Sequence, residues 1–360
     1  MFGWMLAATL ALAPSLPAPE VPEPIPEPAQ VLALPAALQQ RFQDEVLTPT
    51  RSDHQRLERL VEFMFDPAGL NMQYRHDATL TVQQAYLSRQ ANCLTFTLLV
   101  IVLAREAGLE AYAQEIDETL AWYQQDNTIY RSNHVNAGIR VGGRRYTVDV
   151  GSDSLIARHP PQRVSDQRLL SHFYNNRAAD LMAEGKLDAA EPYMATALDL
   201  DASHASSWSN AGVLRLRKND LPGAYAAYQR ALTLDSAHAA ALFNLLALSG
   251  RSGDRKGETN YRQRLDAVQS HDPFHQFLLA ADYERRGDYA NAATHYQRAI
   301  RLHGSEHRFH FALARAYLQL GDTRRAGRAL ARAQALGGDS LRSVYQAKLD
   351  GLKQAGPRAP

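Results

Sequence analysis

The stretch "WSNAGVLRLRKNDLPGAYAAYQRALTLD", residues 208–235, decides the fold of the C-terminal half of the chain. Its apolar and small residues follow a helical period, which predicts two helices joined by a short turn. Three sets of positions recur every 34 residues: Gly185, Asn219, Gly253, Gly287 and Gly321; Ala190, Ala224, Glu258, Ala292 and Ala326; Ala197, Ala231, Leu265, Ala299 and Ala333. Three registers at one period indicate a genuine internal repeat.

The pattern resembles the tetratricopeptide repeat, in which small residues let two antiparallel helices approach closely and a glycine accommodates the turn between them. The resemblance implies an all-α solenoid. Its five units are residues 171–204, 205–238, 239–272, 273–306 and 307–340. The third unit is degenerate, since Glu258 and Arg262 replace small and aromatic residues, so we expect a distortion or a bend there. Residues 341–356 are predicted to form a separate helix that caps the last unit.

The concave side of such an array is a common peptide-binding surface, built from the first helix of each unit. Asn176, Asn210 and Asn244 occupy the same position in three successive units. They are candidates for a ladder of amides that binds a peptide backbone. The alternative is that they form hydrogen bonds within the stack of repeats. The predicted partner is therefore a protein or peptide.

A second stretch, "SRQANCLTFTLLVIVLAREAGLEAY" at residues 88–112, contains Cys93, the only cysteine of the chain. A lone cysteine is often a small buried hydrophobic residue. Here, however, it begins a predicted helix that runs to Gly108, after one helix capped by Ser52 or Asp53 and another that starts near Thr81. The positive end of the helix dipole favours a thiolate at that position. Cys93 is therefore a candidate nucleophile.

Beyond Gly108 the pattern alternates: "LEAYAQEI" predicts a strand, and "HVNAGIRVGGRRYTVDVG" predicts a hairpin around Gly142-Gly143. A two-residue loop pairs Asn136 with Asp149. His134 and Asp149 then become diagonal neighbours on one face, about 7 to 8 Å apart at the backbone and within hydrogen-bonding reach of each other. Taken alone, His134 also fits a hydrogen-bonded histidine within a strand, and Asp149 also fits a carboxylate at a turn or strand end. Together with Cys93 they follow the order of a Cys-His-Asp triad.

Residues 55 to 155 resemble the core of the transglutaminase-like superfamily, which has the papain-like cysteine fold. The resemblance implies an α+β domain in which Cys93 is the nucleophile, His134 the base and Asp149 the residue that orients the imidazole. It also implies peptidase, amidase or amide-transfer activity. Gln83, Gln90 and Asn92 are candidates for the second oxyanion donor, although a polar residue near a helix start is more often a cap.

Composition excludes several other functions. The chain has 39 basic and 38 acidic side chains and a net charge of +1, which gives no broad field for nucleic acid or an anionic membrane. One cysteine cannot form an internal disulfide. The 13 histidines show no paired spacing of the kind that zinc sites use, so we expect no structural metal and no cofactor.

The N-terminus begins with an apolar run from Phe2 to Ala13, too short to span a bilayer at about 20 residues. Residues 1–18 are predicted to be a signal peptide, which implies an exported, periplasmic protein. No basic residue precedes the run, so a buried helix in a cytoplasmic protein and an N-terminal anchor remain alternatives. Residues 19–30, rich in Pro and Glu, are predicted to be an extended linker.

The sequence thus predicts an α+β transglutaminase-like domain at residues 31–155, an interdomain linker at 156–170 and a tetratricopeptide repeat solenoid. We expect the two halves to be separable, with Phe173 and Tyr174 forming the interface between them. Two functions follow. One is a cysteine acyl-transfer enzyme whose repeats bind its protein substrate; the alternative is a catalytically inactive domain in a repeat-based adaptor.

Overall fold

The computed structural model of the protein describes residues 24–75, 77–116, 122–125, 128–131, 134–149 and 160–355. In 122–125 and 128–131, and in most of the chain after residue 337, it describes the backbone alone. The predicted signal peptide, residues 1–18, lies outside the described residues, so export stays a prediction.

The N-terminal half begins with helices, and three of them start directly after an N-cap residue that can be recognised in the sequence. They are α1 (Pro28–Val31), α2 (Ala36–Phe42) with a π-helical continuation (Gln43–Leu47), α3 (Asp53–Phe65), α4 (Val82–Ser88) and α5 (Cys93–Glu106). The side chains of Ser52, Thr81 and Asn92 accept the backbone N–H three residues on. These caps fix the starts of α3, α4 and α5 where the sequence predicts them.

An antiparallel sheet packs beside α5. Its strands are β3 (Glu110–Ile116), β6 (His134–Val141), β7 (Arg144–Val148) and β8 (Gln162–Val164), in the spatial order β7-β6-β3-β8. Two smaller pairs are β1 (Gln73–Tyr74) with β2 (Gln90–Ala91), and β4 (Trp122–Gln125) with β5 (Thr128–Arg131). The buried side chains of α5 and of β3 and β6 belong to one apolar core.

The hairpin register is the predicted one. Val141 pairs with Arg144 and Ala137 with Val148, and Gly142 and Gly143 occupy the turn with φ of 57° and 77°. A two-residue loop with both central residues at positive φ is a type I′ turn, and glycine adopts that conformation without steric cost. Asp149, one residue beyond Val148, therefore lies across from the start of β6.

The C-terminal half is an array of antiparallel helix pairs. The first helices of the pairs are α6 (Asp166–Ala183), α8 (Ala205–Arg217), α10 (Ala239–Ser252), α12 (Pro273–Arg285) and α14 (His307–Gln319). The second helices are α7 (Leu187–Leu200), α9 (Leu221–Leu234), α11 (Arg255–Ser270), α13 (Tyr289–Leu302) and α15 (Thr323–Ala355).

The turn within each pair explains the glycine register of the sequence. Gly185, Gly253, Gly287 and Gly321 have φ between 74° and 81°, and Asn219 takes the equivalent position with φ of 63°. Asparagine is among the few non-glycine residues that tolerate this left-handed conformation. The predicted repeat of two helices and a left-handed turn is therefore confirmed.

The third unit forms both of its helices, so its degeneracy does not unfold it. Its effect lies in the packing: one apolar core runs through the first three units and ends with Leu265, and a separate core begins with Ala280. Polar Glu258 and Arg262 form an ion pair with each other at 2.7 Å instead of contributing apolar surface. The continuous core of the first three units thus ends at α11, and the units after it form separate, smaller apolar clusters.

The predicted separate cap at residues 341–356 is wrong, because α15 continues without a break to Ala355. The chain has no proline here, and Gly337 and Gly338 remain helical, so nothing stops the helix. The extension nevertheless covers the last unit. Tyr345 is buried and stacks on Phe311 of α14 with ring centroids 4.4 Å apart.

The predicted linker at residues 156–170 is also corrected. Residues 162–164 form β8, which pairs with β3, and α6 begins at Asp166. The Arg105 guanidinium pairs with both carboxylate oxygens of Asp166, at 2.7 and 2.8 Å. The first repeat helix is therefore attached directly to the sheet.

The two halves share one core, as the predicted interface at Phe173 and Tyr174 requires. Leu169, Leu170, Phe173 and Tyr174 of α6 belong to the same apolar cluster as α5 and the sheet. Against the expectation of separable halves, this shared core predicts that the two halves unfold together. The apolar face at the open end of the array is completed by the N-terminal domain.

The predicted linker at residues 19–30 is structured from residue 24 onward. Ile25 packs on the shared core, and the Tyr174 hydroxyl donates a 2.6 Å hydrogen bond to the Pro26 carbonyl. A proline-rich segment loses little entropy when it docks in its extended form. Within the described residues, no helix combines the length and the apolar character that crossing a bilayer demands.

Candidate functional site

Cys93 is the first residue of α5 and is half-buried. The cap of Asn92 holds this end of the helix: its Oδ1 accepts the Thr95 N–H at 2.9 Å, and its Nδ2 donates to Thr79 Oγ1 at 2.9 Å. Both polar atoms of the Asn92 side chain thus make hydrogen bonds. Asn92 therefore acts as a helix cap, which is the alternative to a role as oxyanion donor. Its bonds fix the direction in which α5 presents the thiol.

The other two oxyanion candidates lie nearby in sequence but differ in exposure. Gln83 is exposed on α4, and Gln90 is half-buried on β2. An oxyanion role for either residue remains a prediction.

His134 is the first residue of β6, and it is buried next to the helix that carries Cys93. Its Nε2 donates a 2.7 Å hydrogen bond to Asp149 Oδ2. The Asn136 amide, two residues along the same face, donates to the same oxygen at 3.1 Å. The hairpin register therefore brings His134, Asn136 and Asp149 together.

Cys93 lies close enough to His134 to affect the pKa of its imidazole. Burial acts to lower this pKa, but the interactions with Asp149 and with Cys93 outweigh burial and raise the pKa to about 9. Because Nε2 binds the carboxylate, Nδ1 is the ring nitrogen that remains for another partner. The structure thus brings the three predicted residues together.

Thr97 connects the helix to the strand at this place. Its hydroxyl lies 2.8 Å from the Cys93 carbonyl, one turn back along α5, and 3.2 Å from the Val135 carbonyl on β6. Val135 follows His134 directly. The threonine therefore sets the distance between the backbone of the thiol and the backbone of the imidazole.

Sequence reasoning did not assign a role to Asn136 or Thr97. Asn136 could have been found, because it shares the face of His134 and pairs with the position of Asp149. Thr97 gives no such signal, since its contact depends on how α5 packs on β6.

The three asparagines of the predicted peptide groove do not form a uniform ladder. Asn210 Nδ2 donates at 3.0 Å to Asn175 Oδ1, a residue that the sequence analysis did not select. Asn175 in turn lies 3.5 Å from Asn176 Oδ1. Asn176 and Asn210 thus contribute to hydrogen bonds within the stack, the alternative considered from the sequence.

Asn244 differs from the other two. Its side chain is 4% exposed, and its Nδ2 is buried without a hydrogen-bond partner among the described residues. Strand β5 of the N-terminal half lies alongside α10, the helix that carries Asn244. The amide donor is therefore located where a segment of the N-terminal domain reaches the repeats.

A family comparison identifies the helical half. The tetratricopeptide repeat model matches residues 175–245 and 277–340. The chain therefore carries tetratricopeptide repeats, as its period predicts. The interval between the two matches contains the degenerate helix α11. The match does not extend to the N-terminal domain, whose resemblance to the transglutaminase-like superfamily remains a prediction.

The chain is also similar to several solved structures. A MamA fragment from Desulfovibrio magneticus RS-1 is 17% identical, with a TM-score of 0.27, and the alignment covers 48% of this chain and 96% of MamA. YrrB, described as a TPR protein with an unusual peptide-binding site, is 18% identical, with a TM-score of 0.27 and coverages of 49% and 92%. At these TM-scores the likeness carries no functional argument. A search of the curated proteins gives no match.

Proposed function

We propose that the N-terminal domain is a transglutaminase-like cysteine acyl-transfer enzyme and that the repeats bind the protein or peptide on which it acts. One observation carries the proposal: Cys93, His134 and Asp149 are far apart in sequence, yet His134 is hydrogen-bonded to Asp149 and lies close enough to Cys93 for the cysteine to raise the pKa of its imidazole. Each member has the residue type that its role needs.

The chemistry follows from that arrangement. The Cys93 sulfur attacks an amide carbonyl, so a C–S bond forms while the thiol proton resides on His134. When the C–N bond breaks, the imidazolium gives this proton to the leaving amine. Water or a second amine then attacks the thioester, loses its proton to His134 and returns the thiol. Asp149 keeps the imidazole oriented and balances its positive charge.

Two polar groups support Asp149 in that role. The carboxylate is nearly buried and accepts from both His134 and Asn136, so it stays oriented towards the imidazole. A buried carboxylate with two donors on one oxygen is stabilised in its ionised form. The bond to Asp149 keeps a hydrogen on Nε2, so Nδ1 is the nitrogen that exchanges the proton with the thiol.

The alternative is an adaptor whose cysteine domain is inactive. The observation in its favour is that the family match is confined to the repeats, residues 175–245 and 277–340. Such a protein would bind a partner through the groove and perform no chemistry at Cys93. Thiol reactivity separates the two functions directly.

The test is the rate at which iodoacetamide labels Cys93 near neutral pH in the intact chain. We expect His134→Ala to reduce this rate by at least about tenfold, since it removes the proton acceptor. His54→Ala is the matched control, because His54 is an exposed histidine with a side chain 57% accessible on α3. Equal rates in the wild type and in His134→Ala would favour the adaptor.

Partner binding has its own support in the surroundings of Asn244. The buried amide donor has no hydrogen-bond partner in the part of the chain that the structure describes, and β5, which precedes His134 in the chain, lies against the same helix. A peptide that takes the place of β5 beside α10 would accept this hydrogen bond with a backbone carbonyl. It would then lie next to the segment that leads into the catalytic strand.

Peptides selected from a displayed library on the Cys93→Ser chain test this binding. Loss of one hydrogen bond predicts a several-fold weaker affinity for Asn244→Ala. Asn260→Ala, at an exposed asparagine of α11, should bind as the unmodified chain does. Selected peptides that bind Asn244→Ala with undiminished affinity would place binding elsewhere.

A further inference from the structure

A cluster of metal-ligating side chains lies at the junction of the two halves, away from Cys93. Glu115, His172 and His204 are 3%, 4% and 3% exposed. Each offers one ligand atom, and these atoms all lie within 4.8 Å of one another. Buried groups of this kind require either hydrogen-bond partners or an ion.

Three separate elements supply the cluster. Glu115 is on β3, where it pairs with Val135 on one side and Gln162 on the other. His172 is on α6, and His204 is the residue before α8. The cluster therefore exists only when the first repeat unit is docked on the sheet, which is why the spacing of histidines in the sequence gives no sign of it.

The distance between two of the donors fits a small ion. Glu115 Oε1 and His172 Nε2 are 3.3 Å apart. Two ligands of a tetrahedral ion with bonds of about 2.0 to 2.1 Å lie about 3.3 to 3.4 Å apart. His172 Nε2 is buried and makes no hydrogen bond within the part of the chain that the structure describes. The two atoms are within ion-pair distance of each other, and the same separation suits two ligands of one ion.

Neighbouring polar groups contact His204 and Glu115, as groups just outside the coordination sphere do at metal sites. Ser207 Oγ contacts Nδ1 of His204 at 2.8 Å, which orients the ring. Arg168 donates to the other oxygen of Glu115 at 3.2 Å and to Asp201 at 2.8 Å. Asp201 balances the charge of Arg168, so the guanidinium positions Glu115 without leaving the cluster with an excess of positive charge.

A cleft borders the cluster on the side of Glu115. It has a volume of about 350 Å³, and its lining includes Glu115, Arg168, Asp201 and Ser203 but neither of the two histidines.

We propose that Glu115, His172 and His204 bind a divalent transition-metal ion, with Zn²⁺ as the ion that suits two imidazoles and one carboxylate. The ion joins the sheet of the N-terminal domain to the first repeat unit. This site is independent of the Cys93 chemistry, and it departs from the sequence-based expectation of no metal.

The test is a Zn²⁺ titration of the chelator-stripped full chain in competition with a chromophoric chelator. We expect one tightly bound equivalent, a higher melting temperature with Zn²⁺, and an affinity at least about tenfold weaker in His172→Gln and in His204→Gln. His310→Gln is the control, since His310 is also buried but donates to the Gly304 carbonyl in the last unit.

Co²⁺ substitution distinguishes this site from the thiol. The Co²⁺ protein should show ligand-field absorption without a thiolate charge-transfer band, and Cys93→Ser should keep both this spectrum and the Zn²⁺-dependent melting temperature. Circular dichroism establishes that the glutamine variants fold. The proposal is overturned if the wild type binds no Zn²⁺ equivalent, if His172→Gln and His204→Gln retain full affinity, or if binding depends on Cys93.

Discussion

His134 Nε2 lies 2.7 Å from Asp149 Oδ2, and both side chains are less than a tenth exposed. The pair forms because the two-residue turn at Gly142-Gly143 fixes the register of β6 and β7. A charged pair in such a buried place stabilises the fold only while both members keep their charge. This gives the pair a pH dependence with a definite sign.

The first prediction concerns stability at alkaline pH. The folded pKa of His134 is raised to about 9 from 6.5, so its contribution is fully present below about pH 6.5 and disappears as the pH rises through 9. The shift corresponds to about 3 kcal/mol at most. The wild type should therefore have a larger free energy of unfolding than His134→Gln. This difference should be greatest at pH 6 and should be smaller at pH 9.5. Urea denaturation across this range measures it, and a difference that grows with pH would contradict the assignment.

The second prediction is that Asp149→Asn impairs chemistry far more than folding. The amide keeps the shape of the carboxylate but no longer favours the productive imidazole tautomer or balances its charge. We expect the rate of iodoacetamide labelling of Cys93 to fall by at least about tenfold and the free energy of unfolding to fall by about 1 to 3 kcal/mol. A variant that unfolds while its folded fraction labels at the normal rate would mark Asp149 as purely structural.

The third prediction concerns Thr97, which touches neither the sulfur nor the imidazole. Thr97→Val keeps the volume but removes the hydroxyl between the Cys93 and Val135 carbonyls. We expect labelling to slow several-fold and stability to fall by about 1 kcal/mol. Thr259→Val is the matched control, because the Thr259 hydroxyl makes the same bond one turn back, to the Arg255 carbonyl, on an exposed face of α11. Equal labelling rates in the two variants would remove Thr97 from the positioning of the site.

The fourth prediction is that the two halves unfold together, since α6 completes the core of the N-terminal domain. Phe173→Ala should cost about 3 to 5 kcal/mol. In a urea titration, exposure of Cys93 to a thiol reagent and loss of helical circular dichroism should then shift together to lower urea. Leu278→Ala, at a 40% exposed leucine, should change little. A shift in the helical signal without earlier exposure of Cys93 would show that the halves are independent.

Local patterns were sufficient for the parts of the fold that local physics determines. The cap at Asn92 starts α5 at Cys93, the glycine pair sets the hairpin register, and the 34-residue period sets the helix pairs. Each of these depends on residues close in sequence. The pairing of His134 with Asp149 follows from the register alone.

Features that depend on docking could not be read in this way. The contact of Thr97 with Val135 and the meeting of Glu115, His172 and His204 require the packing of one element on another. The same holds for residues 24–31, whose polar and proline-rich composition predicts a linker although the Pro26 carbonyl accepts from Tyr174. The length of α15 was not predicted either, because the end of a repeat unit in the sequence is not a signal that stops a helix.

The most direct test of the account is an active-site titration of the full chain with p-nitrophenyl acetate. A thiol activated by His134 forms an acetyl thioester and releases one equivalent of p-nitrophenolate in a rapid burst. The account predicts a burst of about one equivalent, an acetyl group on Cys93 in the acid-quenched protein, and loss of the burst in both Cys93→Ser and His134→Ala. The absence of a burst in the wild type, or an equal burst in Cys93→Ser, would contradict the proposed acyl-transfer function.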